Sequence, residues 1–246
     1  MSDPISQEQL ARRVEAIEWF HRIELPGGVV TPGKIDPSPR LPGLRLPDDL
    51  SGRTLLDIGA WDGFFSFAME ARGAKVTAMD SFCWSGEGWG SKAGFDCARE
   101  ALGSKARSVE MEVLDLSPEK LGTFDIVLFL NVLYHMRHPA LAIERVASVT
   151  GELLVLETHT DLLDVSDPAI ALYDEGELWQ DETSYCGPNL PALDLMLRNA
   201  GFARIEVIGE TPVHRRMARA LLHERLHGIP RARSMQQGWV VIHASR

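Results

Sequence analysis

Three acidic residues stand at the ends of short apolar runs: Asp57 in Leu55-Leu56-Asp57-Ile58-Gly59, Asp80 closing Lys75-Val76-Thr77-Ala78-Met79, and Asp115 before Leu116. The first run leads into Gly59-Ala60-Trp61-Asp62-Gly63, where the glycines let the backbone approach a ligand closely. A strand that enters a glycine turn and then a helix builds a ligand crevice at its carboxyl end. A dinucleotide site would place G-x-G-x-x-G there and aim helix amides at a pyrophosphate. No such triplet follows Asp57, and a carboxylate at this point opposes phosphate while suiting the ammonium of an amino acid. Asp80 is then placed to accept from two ribose hydroxyls. Asp115 with Leu116 offers an acceptor for an adenine amino group beside an apolar face for its ring. Each acid alone fits a turn cap or a solvated strand end as well. In this order and together they predict a site for S-adenosylmethionine, with S-adenosylhomocysteine as product, which Trp61 and Gly63 also border.

Methyl transfer from a sulfonium is an in-line displacement that disperses positive charge, so positioning supplies much of the catalysis. A hydroxyl acceptor would also need a base, and histidine titrates in the right range. His135, preceded by Tyr134, follows the apolar run Phe124–Leu130 and is the first candidate, as base or as acceptor-positioning group. The same residue would serve equally as a cap for the next helix. His21 and His159 are further substrate-side candidates, each also compatible with a structural place. Trp84 and Trp89, in a glycine-rich loop beyond Asp80, would line the substrate pocket or anchor the loop to the core. Trp179, Tyr185 and Asn189 are drawn in only by their position at a polar stretch. Asp161, Asp164 and Asp167 read as a polar loop without a second ligand cluster, so no metal site is expected.

The elements that must hold these residues alternate. Residues 54–58, 75–80, 108–113, 124–130 and 152–157 read as strands. Helices are expected over 64–72, 94–102, 139–149 and 190–200, and an amphipathic one over 6–20. Two late runs, 203–208 and 239–243, complete seven strands and would form an antiparallel hairpin at one edge. The fold class is therefore α/β: a Rossmann-like, doubly wound, mostly parallel seven-stranded sheet with helices on both faces. Residues 1–50 form an N-terminal helix and an arm, extended over 26–50 because Pro37, Pro39, Pro42 and Pro47 oppose helix and central strand alike. That arm is expected to cover the active site of a methyltransferase domain at 51–246, with a lid inserted at 158–188.

The chain has 246 residues, 45% of them hydrophobic, and a net charge of −10. That charge disfavours nucleic acid as a partner, and the basic segment His214–Arg233 lacks interleaved aromatics, so Arg215, Arg216 and Arg219 read as a solvated helix face. Three scattered cysteines suggest a reducing, cytoplasmic setting, and no apolar run is long enough to span a membrane. A monomer or a homodimer is expected, with nothing in the sequence that chooses between them.

The motifs LLDIGAWDGFFSF, FDIVLFLNVLYHMRHP, ELLVLET and PNLPALDLMLRNAGF resemble class I methyltransferases. From about Arg53 to Ile208 they are similar to the branch containing bacterial tRNA wobble-uridine carboxymethyltransferases. The resemblance implies that Gly59, Asp80, Asp115, Leu116 and Asn131 line the cofactor site and that Tyr134 and His135 face the transferred group. Two departures stand out. Trp61 replaces the family's middle glycine, and Thr31-Pro32-Gly33-Lys34 stands where the carboxymethylating branch carries a motif of the type RKGPF. The expected activity is methyl transfer to a small-molecule acceptor, oxygen favoured. Its rivals are a tRNA-modifying methyl- or carboxymethyltransferase, a nicotinamide-dependent oxidoreductase and a catalytically silent S-adenosylmethionine sensor.

Overall fold

The apolar runs become strands and most of their boundaries hold to within a residue or two. Glu24–Leu25 (β1) and Val29–Val30 (β2) form a small antiparallel pair. The main strands are Thr54–Ile58 (β3), Lys75–Asp80 (β4), Arg107–Glu110 (β5), Phe124–Leu130 (β6) and Thr150–Thr160 (β7). Ile170–Leu172 (β8) pairs with Cys186–Pro188 (β9), and Arg204–Glu210 (β10) with Gly238–Ser245 (β11). The helices are Gln7–Glu15 (α1), Phe64–Ala71 (α2), Ala93–Ala101 (α3), Pro118–Leu121 (α4), Pro139–Val149 (α5), Leu190–Asn199 (α6), Val213–His227 (α7) and Arg231–Met235 (α8). The computed structural model describes residues 6–86, 91–227 and 229–246.

Seven strands line up in the order β10-β11-β7-β6-β3-β4-β5. β3, β4 and β5 are parallel, as the alternation of elements requires. β11 runs antiparallel to both of its neighbours, β10 and β7, so the late hairpin lies at the edge with the last strand inserted second. This is the Rossmann-like, mostly parallel sheet expected from the sequence. β6 is buried almost throughout, which is why FDIVLFL carries no polar alternation.

Two compact units are distinguished, Met1–Glu112 with Phe124–Ile126, and Val113–Thr123 with Val127–Arg246. In the first, α1 opens with a capping box between Ser6 and Gln9 and turns Leu10 and Val14 inward. It ends near residue 15, five short of expectation, and the chain then runs extended through Trp19 and His21. The proline-rich stretch is not wholly without structure: it holds β2, paired with β1 just before it, and a 3-10 helix at Ser38–Leu44, where proline suits the first turn. Residues 20–23 and 31–35 bond to each other, with Arg22 N–H donating to Ile35 O at 2.8 Å and Thr31 Oγ1 to His21 O at 2.7 Å. Gly33 backs directly onto the His21 and Arg22 backbone, leaving no room for a Cβ.

In the second unit, residues 161–188 carry the β8–β9 pair instead of a patternless lid. The basic segment also departs from expectation. Arg216 and Arg219 turn inward onto the carbonyls of Met235, Ser234 and Gln237, while Leu221, Leu222 and Leu226 stay exposed. The carbonyls at the end of α8 lack helical partners, and guanidinium donors satisfy them.

Asn189 does not serve as a substrate group. Its Oδ1 accepts from Ala192 N–H at 2.9 Å and Ala169 N–H at 3.0 Å, and its Nδ2 donates to Val165 O at 3.1 Å and Asp167 O at 2.7 Å. All four bonds an amide side chain can make are taken, so it caps α6 and ties down the loop before β8. Asn189→Ala should lower unfolding stability by about 2–4 kcal/mol, read from urea denaturation, because it leaves a cap and several buried groups unpaired.

Candidate active site

In the first unit, β3 runs into the turn with Gly59 at φ 76° and Gly63 at φ 87°, both in the left-handed region that favours glycine. Gly59 and Ala60 donate their N–H groups to Met79 O at 2.8 and 3.1 Å, which fastens the turn to the end of β4. A Cβ on Gly63 would lie 2.5 Å from the Phe67 ring, so this position before α2 admits no side chain. Trp61 sits at φ 49°, a conformation a bulky residue seldom adopts.

Three carboxylates brace this turn from beneath. Asp57 is buried and accepts from Ser66 Oγ at 2.6 Å; burial pushes its pKa up to about 6 against the relief given by that bond. Asp80 accepts from Trp61 N–H through Oδ2 and from Cys83 N–H through Oδ1, both at 3.0 Å, and burial raises its pKa as well. A carboxylate has lone pairs beyond these two, so Asp80 keeps acceptor capacity for a diol. Asp62 accepts from the N–H groups of Phe20 and His21 at 2.7 and 2.8 Å, and burial lifts its pKa to about 6. Sequence reasoning passed over Asp62, although it stands inside the glycine turn.

His21 lies buried in the same unit, among Phe20, Trp61, Phe64 and Phe65. Burial, with the positive charge of Arg40, lowers its pKa to about 4. Of the two roles open to Trp84, the structure fits that of a loop anchor. It is buried, donates Nε1–H to Trp61 O at 2.8 Å, packs on Phe95 and carries the Lys92 ammonium over its ring. It anchors the loop rather than facing a substrate. Trp89 lies outside the described residues.

The second unit holds the remaining candidates. Asp115 is exposed and pairs with Lys120 at 3.5 Å. Leu116 is wholly buried, so its side chain belongs to the core and offers no open apolar face. Asn131 follows β6 at φ 60° and donates its N–H to Glu157 O at 2.8 Å. His135 ends a short 3-10 helix over Leu133–His135 and does not cap α5, which His138 and Pro139 begin. Its Nδ1 lies 2.8 Å from Thr183 O and 3.0 Å from Thr183 Oγ1, and that hydroxyl donates to Asp181 Oδ1 at 2.6 Å. The carbonyl can only accept, so Nδ1 carries the proton and Nε2 the lone pair. Burial holds the His135 pKa below its ordinary value, against the opposing pull of Thr183 and Asp181.

Around it Tyr134, His159, Trp179 and Trp239 form one aromatic group. Tyr134 is edge-on to Trp179 and Trp239, which stack at 5.4 Å and 10°. Trp179 is 40% exposed and Tyr185 lies under the Arg137 guanidinium at 3.9 Å. His159 is turned the other way: Nε2 meets Tyr173 Oη at 3.0 Å, and Tyr173 donates to Asp161 Oδ2 at 2.6 Å. Asp161, expected in a polar loop, is buried and pairs with Arg233 at 2.5 Å. Gly187 leaves the space that the Tyr173 hydroxyl fills. Thr183 and Tyr173 carried no sequence signal and Arg233 stood out only as the end of the basic run, because only the fold brings them to this group.

A glycine turn after the first strand of a parallel sheet, with an acid closing the next strand, forms a nucleoside-binding crevice of the Rossmann-like kind. A family model described as a methyltransferase domain matches residues 36–207. The tRNA U34 carboxymethyltransferase of Pseudomonas paraeruginosa (strain DSM 24068 / PA7) is 34% identical over 160 residues, covering 63% of this chain and 46% of that protein. The enzyme of the same description from Azotobacter vinelandii (strain DJ / ATCC BAA-1303) is 34% identical over 165 residues, covering 65% and 48%. The chain thus spans about half the length of the curated relatives it matches. Among solved structures, the N-terminal domain of EvdMO1, crystallised in the presence of SAH and D-fucose, aligns with a TM-score of 0.72 at 18% identity, covering 100% of this chain and 99% of that one. The chain belongs to the methyltransferase domain family, as an S-adenosylmethionine-dependent class I member.

The buried acids give this turn a measurable pH signature. Asp57 titrates near 6 when folded and near 3.8 when free, so its stabilising contribution is complete below the lower value and lost as pH rises through the upper one. Asp57→Asn keeps an acceptor for Ser66 and removes the charge. It should gain about 2–3 kcal/mol relative to the parent at pH 7 and little at pH 4, in paired urea denaturations.

Proposed function

We propose that this domain transfers the methyl group of S-adenosylmethionine to a hydroxyl of a small, sugar-like acceptor, with His135 as general base. When bound, the cofactor supplies an electrophilic methyl on a sulfonium. The residues around the first glycine turn fit it: Gly59 opens the backbone, and Asp80 retains acceptor capacity for a ribose. The observation that carries the acceptor reading is the fixed tautomer of His135. With Nδ1–H held by Thr183, Nε2 is free to take the hydroxyl proton as the oxygen–carbon bond forms and the sulfur–carbon bond breaks. Tyr134 and Trp179 add apolar faces of the kind that accept the C–H side of a sugar ring. The structural neighbour crystallised with D-fucose supports the same reading. In this account the chain before β3 shapes the cofactor side, the stretch carrying β8 and β9 forms the acceptor lid, and the three buried free thiols suit the cytoplasm.

A second reading, tRNA modification, is favoured by the 34% identity to tRNA-modifying relatives. Against it, Arg216 and Arg219 are engaged internally rather than presented to a phosphate backbone. Lys34 pairs with Glu18 at 3.0 Å, and no lysine motif of the carboxymethylating type precedes β3.

The test is a methyl-transfer assay on a panel of monosaccharides and nucleotide sugars, with bulk tRNA as the competing acceptor. Labelled tRNA in place of labelled sugar would overturn the proposal. His135→Gln should lower kcat by about 10²–10⁴-fold while leaving S-adenosylhomocysteine affinity unchanged. Because burial depresses the His135 pKa, kcat/KM should be flat from neutral pH upward and fall on the acid side with a midpoint below 6.5.

A further inference from the structure

Trp61 occupies the place of a glycine in the cofactor turn, and its ring is covered by Phe20, stacked at 3.7 Å and 4°. The next residue, His21, is therefore carried against that turn and the start of α2. Its ring stands edge-on to Trp61 at 6.1 Å and to Phe65 at 6.3 Å, and is tilted against Phe64 at 6.2 Å. Nδ1 is 3.9 Å from Asp62 Oδ2, beyond hydrogen-bond reach, and that oxygen already accepts the Phe20 and His21 N–H groups. Nδ1 is buried with no partner among the described residues. A buried imidazole left unpaired costs more than a phenyl ring in the same apolar place, so a purely structural role does not explain it.

Two charges stand by this ring: the Asp62 carboxylate, already engaged by two backbone N–H groups, and the positive one of Arg40, whose guanidinium carbon lies 5.4 Å from the Phe65 ring centre. With Asp62 so engaged, an incoming carboxylate would find an N–H donor in the imidazole and a balancing cation in Arg40. We propose that His21 and Arg40 receive the carboxylate of the cofactor's methionine moiety, the imidazole N–H donating and the guanidinium supplying the balancing charge. This rests on reading the glycine turn as the cofactor site.

The test compares S-adenosylhomocysteine with 5′-methylthioadenosine, which lacks the amino-acid end, by calorimetry on the purified protein. The parent should prefer S-adenosylhomocysteine. Arg40→Gln, a half-buried change, and His21→Phe should each weaken it by roughly tenfold or more, with methylthioadenosine affinity unchanged. Should His21→Phe fail to fold, Arg40→Gln decides alone. Unaltered S-adenosylhomocysteine binding in Arg40→Gln, or equal losses for both ligands, would overturn the proposal. A parent protein that binds neither nucleoside would instead overturn the cofactor reading on which it stands.

Discussion

Burying a carboxylate costs several kcal/mol unless donors surround it, and Asp62 meets that condition with the backbone of a distant segment. Its Oδ2 accepts from two successive N–H groups, those of Phe20 and His21, some forty residues earlier in the chain. Remove the carboxylate and those two donors are orphaned under apolar side chains. Keep it, and the segment from Trp19 to Ile35 has one place to go. Phe20 then lands on Trp61, and Gly94 must lack a side chain because Asp62 Oδ1 would lie 2.9 Å from its Cβ. Asp80 acts in the same way between the turn at Trp61 and the loop at Cys83. The raised pKa values of Asp57, Asp62 and Asp80 record how incompletely these bonds offset desolvation.

Asp161 does for the second unit what Asp62 does for the first, with stronger partners. It accepts from Arg233, from Tyr173 and from the Leu162 N–H, so α8, the segment after β8 and the end of β7 meet at one carboxylate. Here the donors outweigh burial, and the pKa is lowered. The difference is physical: a guanidinium compensates a buried charge in a way that neutral backbone amides do not. His159 hangs from the same chain through Tyr173, and burial drives its pKa down to about 4.

Much of this was legible beforehand, and the reasons are local. β3, β4 and β6 were readable to the residue because parallel strands covered on both faces are unbroken apolar runs, and α2 and α5 because a glycine and a proline mark their starts or ends. Asp57, Asp80 and His135 were visible as polar residues at the ends of such runs. The β8–β9 pair was not, since three-residue strands carry no period. The inward Arg216 and Arg219 were hidden for another reason. A helical wheel separates arginines from leucines but does not say which face the rest of the unit covers, and here carbonyls at α8 drew the charged face in. Asn189 was drawn in by its position at a polar stretch and Trp84 by its glycine-rich loop; the structure employs both on backbone.

The state of the histidines bears on the proposed chemistry. An imidazole that is already cationic cannot take up a proton, so a general base must rest neutral. His21, His135 and His159 are all held toward the neutral form by burial. On the proposed reading His135 must nevertheless become a cation when it takes the hydroxyl proton, and burial makes that step unfavourable. What offsets it is the chain through Thr183. The carbonyl holds Nδ1–H, the hydroxyl is bonded to Asp181, and that carboxylate favours the charged ring, opposing burial. Asp181 itself stays ionised, its pKa lowered by Thr183, His135 and Ser184 against burial. On that reading His135 is a base that is neutral at rest and stabilised only as it charges, which confines that stabilisation to the part of the reaction in which the acceptor proton moves.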